Sequence, residues 1–336
     1  MAGVFNFDFR GDSGSSAEVQ NASPLIDKLR PAVLTGIELG KIQIKPRAKV
    51  LGEWFREADL GFIFAPRGVG KTWLAMAMAT AIAKGQKVGP WEAVEARPVL
   101  YVDGEMPSEL TKERAAGLQG SCENLSYLNH EILFDRSEVA LNLADFETQE
   151  AITTLCLERG VKVLFLDNLS VLFTGIKENE SDSWEKVQRW LLDLRRKKIA
   201  VVIIHHSGRG GKEMRGTSRR EDVAFWIIRL EERADPSDRR YGSRFLAMFT
   251  KQRNSPNEEP AYEFSFQPDG TGLTQLVYKE ATSEIVVLEW VRNGIDSCED
   301  IAKEMNVSKG TVSKLARKLI DAGKLMVHKR RYELCE

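Results

Sequence analysis

The chain has 336 residues, 43% of them apolar, enough for a sizeable core and for more than one domain. Its 48 Lys and Arg against 49 Asp and Glu leave a net charge of −1, which excludes a uniformly basic coat for nucleic acid and confines any such contact to a local patch. Cys122, Cys156, Cys298 and Cys335 are dispersed without a C-x-x-C pair, which points to reduced thiols and not to a disulfide frame or zinc site. With no apolar run of membrane-spanning length and no leader-like start, a soluble cytoplasmic protein is expected.

Residues 1–30 are rich in Gly, Ser, Asn and Asp, which predicts a flexible N-terminal arm. Within it Phe5, Phe7 and Phe9 alternate with polar residues, as in an edge strand or in an arm that docks on a neighbouring subunit. Pro31 to Asp59 leads to a short apolar strand, Leu60 to Phe64, then to Ala65-Pro66-Arg67-Gly68-Val69-Gly70-Lys71-Thr72 and an alanine-rich helix, Trp73 to Ala83. A strand, a Gly-rich loop and a helix are the context of a phosphate-binding loop. Gly68 and Gly70 free the backbone N–H groups to curl around phosphate oxygens, and the helix adds its positive N-terminal dipole. Lys71 can reach the β- and γ-phosphates and the Thr72 hydroxyl can hold Mg²⁺, so Pro66 to Trp73 are expected to bind ATP. Ala65 stands where the usual pattern has its first glycine.

The next strand, Pro98 to Val102, is closed by Asp103-Gly104-Glu105-Met106-Pro107, with Ser108 placed to cap a helix over Glu109 to Leu118. A strand near Ile132 to Phe134 and a helix from Phe146 to Arg159 follow. The strand Val161 to Leu166 ends in Asp167-Asn168; Trp184 to Lys197 has helical spacing, and the strand Ile199 to Ile204 ends in His205-His206. Nearly continuous apolar strands alternating with helices predict a parallel sheet covered on both faces, which binds ligands at the carboxyl ends of its strands. Lys71, Glu105, Asp167 and the His pair all stand just past such ends. Asp167 is the expected partner of Thr72 in holding the metal. Glu105, on a strand expected beside the phosphate-loop strand, is the candidate base for activating water, with Asp103 as the alternative. Two successive His side chains point to opposite faces, so one is the candidate γ-phosphate sensor, His206 by preference. The loop Ser207 to Arg220 sets Arg209, Lys212, Arg215, Arg219 and Arg220 against one acid, Glu213, and suits a nucleic-acid backbone as well as a solvated face.

Past this point Val223 to Leu230, Arg244 to Thr250 and Ala261 to Phe266 are expected as antiparallel additions to the sheet edge. Helices follow over Ser283 to Arg292, Cys298 to Met305 and Ser308 to Ala322, then a hairpin over Lys324 to Leu334. Lys309, Lys314, Arg317 and Lys318 fall on the third helix, and Lys329, Arg330 and Arg331 on the hairpin.

The phosphate loop, the Asp103-Gly104-Glu105 element, Leu164 to Asn168 and His205-His206-Ser207-Gly208 together resemble the RecA-like ATPases, over about residues 31–280. Within these they are most similar to plasmid RepA-type and DnaB-type hexameric helicases. Phe249 to Asn254 resembles the late strand of such motors, and the resemblance implies that Arg253 is an arginine finger and Lys251 its companion, both reaching the ATP site of a neighbouring subunit. The last fifty or so residues resemble a winged helix, whose third helix reads duplex DNA or contacts protein. The implied organisation is an arm over 1–30, a RecA-like α/β domain with a mostly parallel sheet over 31–280, and a winged helix-turn-helix over 281–336. The implied function is that of an ATP-dependent DNA motor, a replicative-type helicase or single-stranded DNA translocase working as a homo-oligomeric ring, a hexamer by the resemblance. The alternative is an ATP-switched DNA-binding regulator or recombination mediator that does not unwind. The loop after Asp167, with Lys177, Glu178, Glu180 and Asp182, is acidic for a motor's DNA contact.

Overall fold

A computed structural model describes residues 24–175, 181–208, 214, 219–233, 243–255, 257, 259–305 and 307–335. Phe5, Phe7, Phe9, Arg209, Lys212, Arg215, Lys177, Glu178 and Glu180 lie outside the described residues, and so do the side chains of Asp182 and Arg219. The chain forms two compact units, Met1–Pro46 and Arg47–Glu336.

In the first unit, α1 (Pro24–Leu29) runs into a 3₁₀ turn (Arg30–Ala32), and α2 (Gly36–Lys41) follows. The sequence reading assigns neither helix: α1 falls in the expected flexible arm and α2 in the lead-in from Pro31 to Asp59. Thr35 and Glu38 close a reciprocal capping box on α2, which satisfies two orphan N–H groups of a helix too short to stand on propensity.

The second unit opens with a small hairpin, β1 (Lys49–Leu51) and β2 (Phe55–Arg56). The strand β3 (Leu60–Ala65) is buried along its whole length and feeds α3 (Lys71–Lys84), which is buried at eleven of its fourteen positions. Small alanines let α3 lie flush on the sheet. A second hairpin, β4 (Lys87–Val88) and β5 (Trp91–Glu92), leads to β6 (Val99–Asp103) and α4 (Ser108–Gly117). Ser108 is the first residue of α4 and not its cap: its N–H donates to Glu131 Oε2 at 2.7 Å. Next come β7 (Leu125–Asn129), α5 (His130–Ser137), α6 (Phe146–Glu158), β8 (Val163–Asp167), α7 (Leu169–Leu172), α8 (Ser181–Arg196) and β9 (Ala200–His206). The strand expected near Ile132 to Phe134 is helix, because the Asn129 side chain accepts from Glu131 and Ile132 N–H and starts α5 there; the strand is the segment before it.

After α9 (Arg219–Asp222) the chain forms β10 (Trp226–Glu232), β11 (Ser243–Gln252), β12 (Tyr262–Pro268) and β13 (Thr274–Glu280). All four join a nine-stranded sheet of order β13-β12-β11-β10-β3-β9-β8-β6-β7. The six strands from β10 to β7 are parallel; β11, β12 and β13 extend the sheet antiparallel. This mixed α/β architecture, a large and mostly parallel sheet between helices, is the RecA-like fold expected. Two assignments change. β10 is not an antiparallel edge strand but the parallel neighbour of β3. And β6 does not lie beside β3; β9 and β8 intervene.

Strand alternation gives the sheet two cores. Ile63, Tyr101, Phe165, Val202, Ile204 and Ile228 face α3, while Phe62, Phe64, Leu164, Leu166, Val201 and Ile203 face α6 and α8. Gly61 is what lets β10 close on β3: a Cβ there would stand 2.0 Å from the Trp226 ring. That ring meets Trp54 edge-on at 4.8 Å and Phe55 at 5.0 Å.

Helices α10 (Ser283–Arg292), α11 (Cys298–Glu304) and α12 (Lys309–Asp321) and the hairpin β14 (Leu325–His328) and β15 (Arg331–Leu334) share a third core built on Val287, Trp290, Ile301, Val312, Leu319 and Leu325. Glu289 of α10, 1% exposed, meets Arg233 just past β10 at 2.7 Å and pairs also with Arg292. Its burial makes those partners obligatory.

Candidate nucleotide site

The carboxyl ends of β3, β6, β8 and β9 frame a cleft of about 350 Å³, lined among others by Arg67, Gly68, Gly70, Lys71, Thr72, Trp73, Glu105, Asp167, Asn168 and His206. Gly68 and Gly70 have φ of 81° and 119°, the left-handed region that only glycine enters without strain, and this curls the loop into the start of α3. Gly70 is held from outside as well: a Cβ would stand 2.7 Å from the Phe245 ring and 2.9 Å from Ser243 Cβ, so the start of β11 rests on the loop. Of the expected binding residues, Val69 turns its side chain into the core and Pro66 stays outside the cleft lining, where only their backbone can serve a ligand. Trp73 lies at the cleft with its ring stacked on Phe266, and the Arg114 guanidinium sits 5.0 Å over it.

Lys71, 7% exposed, donates from Nζ to the carbonyl oxygens of Ala65 at 3.1 Å and Pro66 at 2.7 Å. Burial lowers its ammonium pKa to about 8, against the pull of Asp167 and Glu105. Those carbonyls are weak substitutes for phosphate oxygen, so an anion entering the cleft favours the charged form. Asp167 is 3% exposed, and burial raises its carboxyl to about 6 although Tyr101 and Thr72 both hydrogen-bond it. The Thr72 hydroxyl and the Asp167 carboxylate thus stand together as hard oxygen donors. Among the described residues no group of three or more His, Cys, Asp and Glu could hold a metal alone. Two oxygens without a cage suit magnesium, which would take its remaining ligands from phosphate and water.

Glu105 and Asp103 divide by environment. Glu105 is exposed to the cleft. Asp103 is fully buried: Oδ1 accepts the N–H groups of Glu105 and Met106, and Oδ2 accepts the Thr111 hydroxyl at 2.6 Å and the Asn129 amide at 3.5 Å. Those four bonds organise the turn that carries Glu105, and Asp103 reaches the cleft lining from beneath it. Asn168 donates its amide to Glu105 Oε2 and stands 3.4 Å from His206 Nε2. His206 therefore lines the cleft, whereas His205 points away, fully buried, with its Nε2 2.8 Å from Arg220 Nη1.

That contact corrects the basic loop. Arg220 is 1% exposed and lies over the Trp184 ring at 5.0 Å, so its charge is spent inside the fold and not on a nucleic-acid backbone. Lys251 donates to the Glu221 carbonyl, and burial followed by the Arg253 charge lowers its pKa. Arg253 has an exposed side chain on a pinned backbone: its N–H donates to Phe225 O at 2.9 Å, and Asn254 beside it is held by Arg47 and by Trp54 O, each at 2.8 Å. The cleft does not contain this pair. Gln252 pairs with Trp226, which pairs with Gly61, so Lys251 and Arg253 stand at the amino end of β3. Six strand residues, roughly 20 Å, separate them from their own phosphate loop. On α12 and the β14–β15 hairpin, Lys314, Arg317, Lys329 and Arg330 are exposed, while Lys309 pairs with Glu299, Lys318 with Glu284 and Arg331 with Asp296.

Sequence reasoning passed over Arg114, Asn168 and Tyr101. Asn168 and Tyr101 lie within motifs already singled out, and their side-chain chemistry was the available signal; no local pattern marks Arg114.

A model of the AAA domain family matches residues 28–212. No curated protein matches the chain. Among solved structures, a KaiC-like protein of the hyperthermophilic archaeon Pyrococcus horikoshii OT3 is similar at 15% identity and a TM-score of 0.49, over 70% of this chain and 100% of that one. Among the described residues no helix is long and apolar enough to cross a membrane.

Proposed function

The chain belongs to the AAA domain family as a P-loop ATPase, and we propose that it is an ATP-dependent DNA motor that hydrolyses ATP between neighbouring subunits of a ring. The observation that carries this reading is the placement of Arg253. It is an exposed guanidinium on a fixed backbone, out of reach of its own phosphate loop and at the opposite end of the same sheet. A second copy, turned head to tail, brings that end to the cleft, a heterologous contact of the kind that builds a ring when its rotation closes.

In the proposed reaction ATP lies with its phosphates along Gly68 to Thr72. Lys71 leaves the Ala65 and Pro66 carbonyls for the β- and γ-phosphates. Magnesium, held by Thr72 and Asp167, would supply neutralising charge to the phosphate oxygens. Glu105 orients the attacking water and accepts its proton. Asn168, between Glu105 and His206, ties the base to the strand that leads into the Ser207 to Arg220 loop, so release of phosphate is felt where that loop begins. Arg253 and Lys251 of the neighbour stabilise charge on the departing phosphoryl group. The remaining loop cations, Arg209, Lys212, Arg215 and Arg219, grip single-stranded DNA; Lys314 and Arg317 meet duplex DNA or a replication protein.

The burial of Arg220 favours the second reading, an ATP-switched DNA-binding regulator, because it removes one of the loop's cations. Hydrolysis measured with and without single-stranded DNA, beside strand displacement, separates the two. A motor shows stimulated hydrolysis and displaced strand; stimulated hydrolysis without displacement, at any DNA end structure, leaves the regulator.

A further inference from the structure

Tyr101 sits in the middle of β6 with no exposed surface, within a largely apolar and aromatic core. Its ring stacks on Phe165 at 5.6 Å and meets Tyr127 at the same distance. Phenylalanine would fill that space equally well. A buried hydroxyl costs free energy unless it is hydrogen-bonded, so the bond it makes shows what it is there for. Tyr101 Oη donates to Asp167 Oδ2 at 2.7 Å, and to no backbone group in its own strand.

The sheet register explains how it reaches. Tyr101 pairs with Phe165 and Asp103 with Asp167, so the side chains at 101 and 167 share one face on diagonally adjacent positions. Diagonal neighbours are within reach of an aromatic side chain and not of a short one. Thr72 approaches the same carboxylate from the phosphate loop. Two hydroxyls, Tyr101 from β6 and Thr72 from the start of α3, thus hold the Asp167 carboxylate.

We propose that Tyr101 is a positioning residue for the metal-holding carboxylate, setting the orientation in which Asp167 meets a magnesium ion bound with nucleotide. This rests on the reading of the cleft as a magnesium–nucleotide site. Tyr101 touches neither nucleotide nor metal; it acts through Asp167, as outer partners of metal ligands do. Loss of such a partner typically weakens metal affinity about ten- to a hundredfold.

The test is equilibrium binding of a fluorescent methylanthraniloyl derivative of ATP to the full chain, titrated with Mg²⁺, for wild type, Tyr101→Phe and Phe165→Leu. The wild type binds the probe more tightly as Mg²⁺ rises. Tyr101→Phe requires about tenfold more Mg²⁺ or greater for half of that gain. Its affinity for the probe without Mg²⁺ stays with the wild type. Phe165→Leu loosens the same ring stack while keeping the hydroxyl, so its Mg²⁺ midpoint does not move. The proposal is overturned if the Tyr101→Phe midpoint matches the wild type. It is equally overturned if Phe165→Leu shifts as far, or if Mg²⁺-free affinity falls in step, since packing alone then accounts for the effect. A wild type whose probe binding ignores Mg²⁺ altogether refutes the nucleotide-site reading itself, and the role of Tyr101 with it.

Discussion

The cleft at the end of the parallel strands and the helical module at the C-terminus carry polar groups in opposite ways. In the cleft, Lys71, Asp103, Asp167 and Asn168 are each less than a tenth exposed, and each is answered by a specific atom of another element. In the module, Lys314, Arg317, Lys329 and Arg330 face solvent. Burial makes each of the first group costly unless its partner is in place, so their geometry points to one chemistry. Surface cations cost little wherever they stand, and so they constrain the partner far less. Among the described residues of the module the one buried charge is Glu289, which pairs with Arg233 just past β10.

The comparison breaks most sharply at Lys71. Lys71→Ala is expected to abolish hydrolysis, and Glu105→Gln to lower kcat by about 10²- to 10⁴-fold while ATP binding persists. No substitution among the exposed cations of α12 should approach either effect on the basal rate. Steady-state hydrolysis with a separate nucleotide-binding measurement decides it. Normal turnover in Glu105→Gln would remove the base assignment and pass it to Asp103, which also lines the cleft.

The same contrast explains what the sequence disclosed. The phosphate loop was readable because three features coincide there: an apolar strand, glycines that only a left-handed backbone requires, and a helix. The whole RecA-like layering followed from the alternation of strands and helices. The orientation of β10 was misjudged, although its run Phe225 to Leu230 is nearly all apolar, the mark of a strand covered on both faces and not of an edge. Arg220 was misjudged for another reason. Its glycine-rich surroundings read as surface, while Trp184 and His205, which enclose it, come from distant segments. Arg114 likewise reaches the cleft through the packing of α4 on α3, a matter of tertiary geometry.

Proton linkage offers a sharper probe of the cleft alone. Without nucleotide the Lys71 ammonium titrates at about 8, because burial disfavours its charge. Phosphate oxygens favour the charged form, so the bound-state pKa is higher and ATP binding above pH 8 takes up a proton. The affinity for ATP is therefore full below pH 8 and falls by up to about tenfold per unit above it. Calorimetry at pH 9 in two buffers of different ionisation enthalpy reads the uptake directly. An affinity that stays level from pH 7 to 9.5 would mean that Lys71 is already charged and paired in the empty protein.

Mixing subunits tests whether the cleft is complete within one chain. Arg253→Ala and Lys71→Ala should each be inactive alone. In random equimolar assemblies about one interface in four unites an intact phosphate loop with an intact finger, so up to roughly a quarter of the wild-type rate returns. Assemblies shown to be mixed by a tag on one variant, yet silent, would count against Arg253 acting in trans.

The smallest effect expected belongs to the module. Deleting residues 283–336 is a poor way to find it, because the deletion strips Glu289 from Arg233, which is only 18% exposed at its side chain and would lose its buried partner. Destabilisation would then mimic a loss of DNA sensing. Lys314→Ala with Arg317→Ala avoids this, since both side chains are exposed on α12 and away from its core positions Val312, Ala316 and Leu319. If these cations meet phosphates, duplex affinity falls only a few-fold at moderate salt, and the slope of log affinity against log salt flattens by about 1.8, close to 0.9 for each contact removed. Single-strand stimulation of hydrolysis stays intact, because that contact is assigned to the loop after His206. A flattened slope for single strands instead would move the strand-sensing contact onto α12, and an unchanged slope for both would make the module a site for protein.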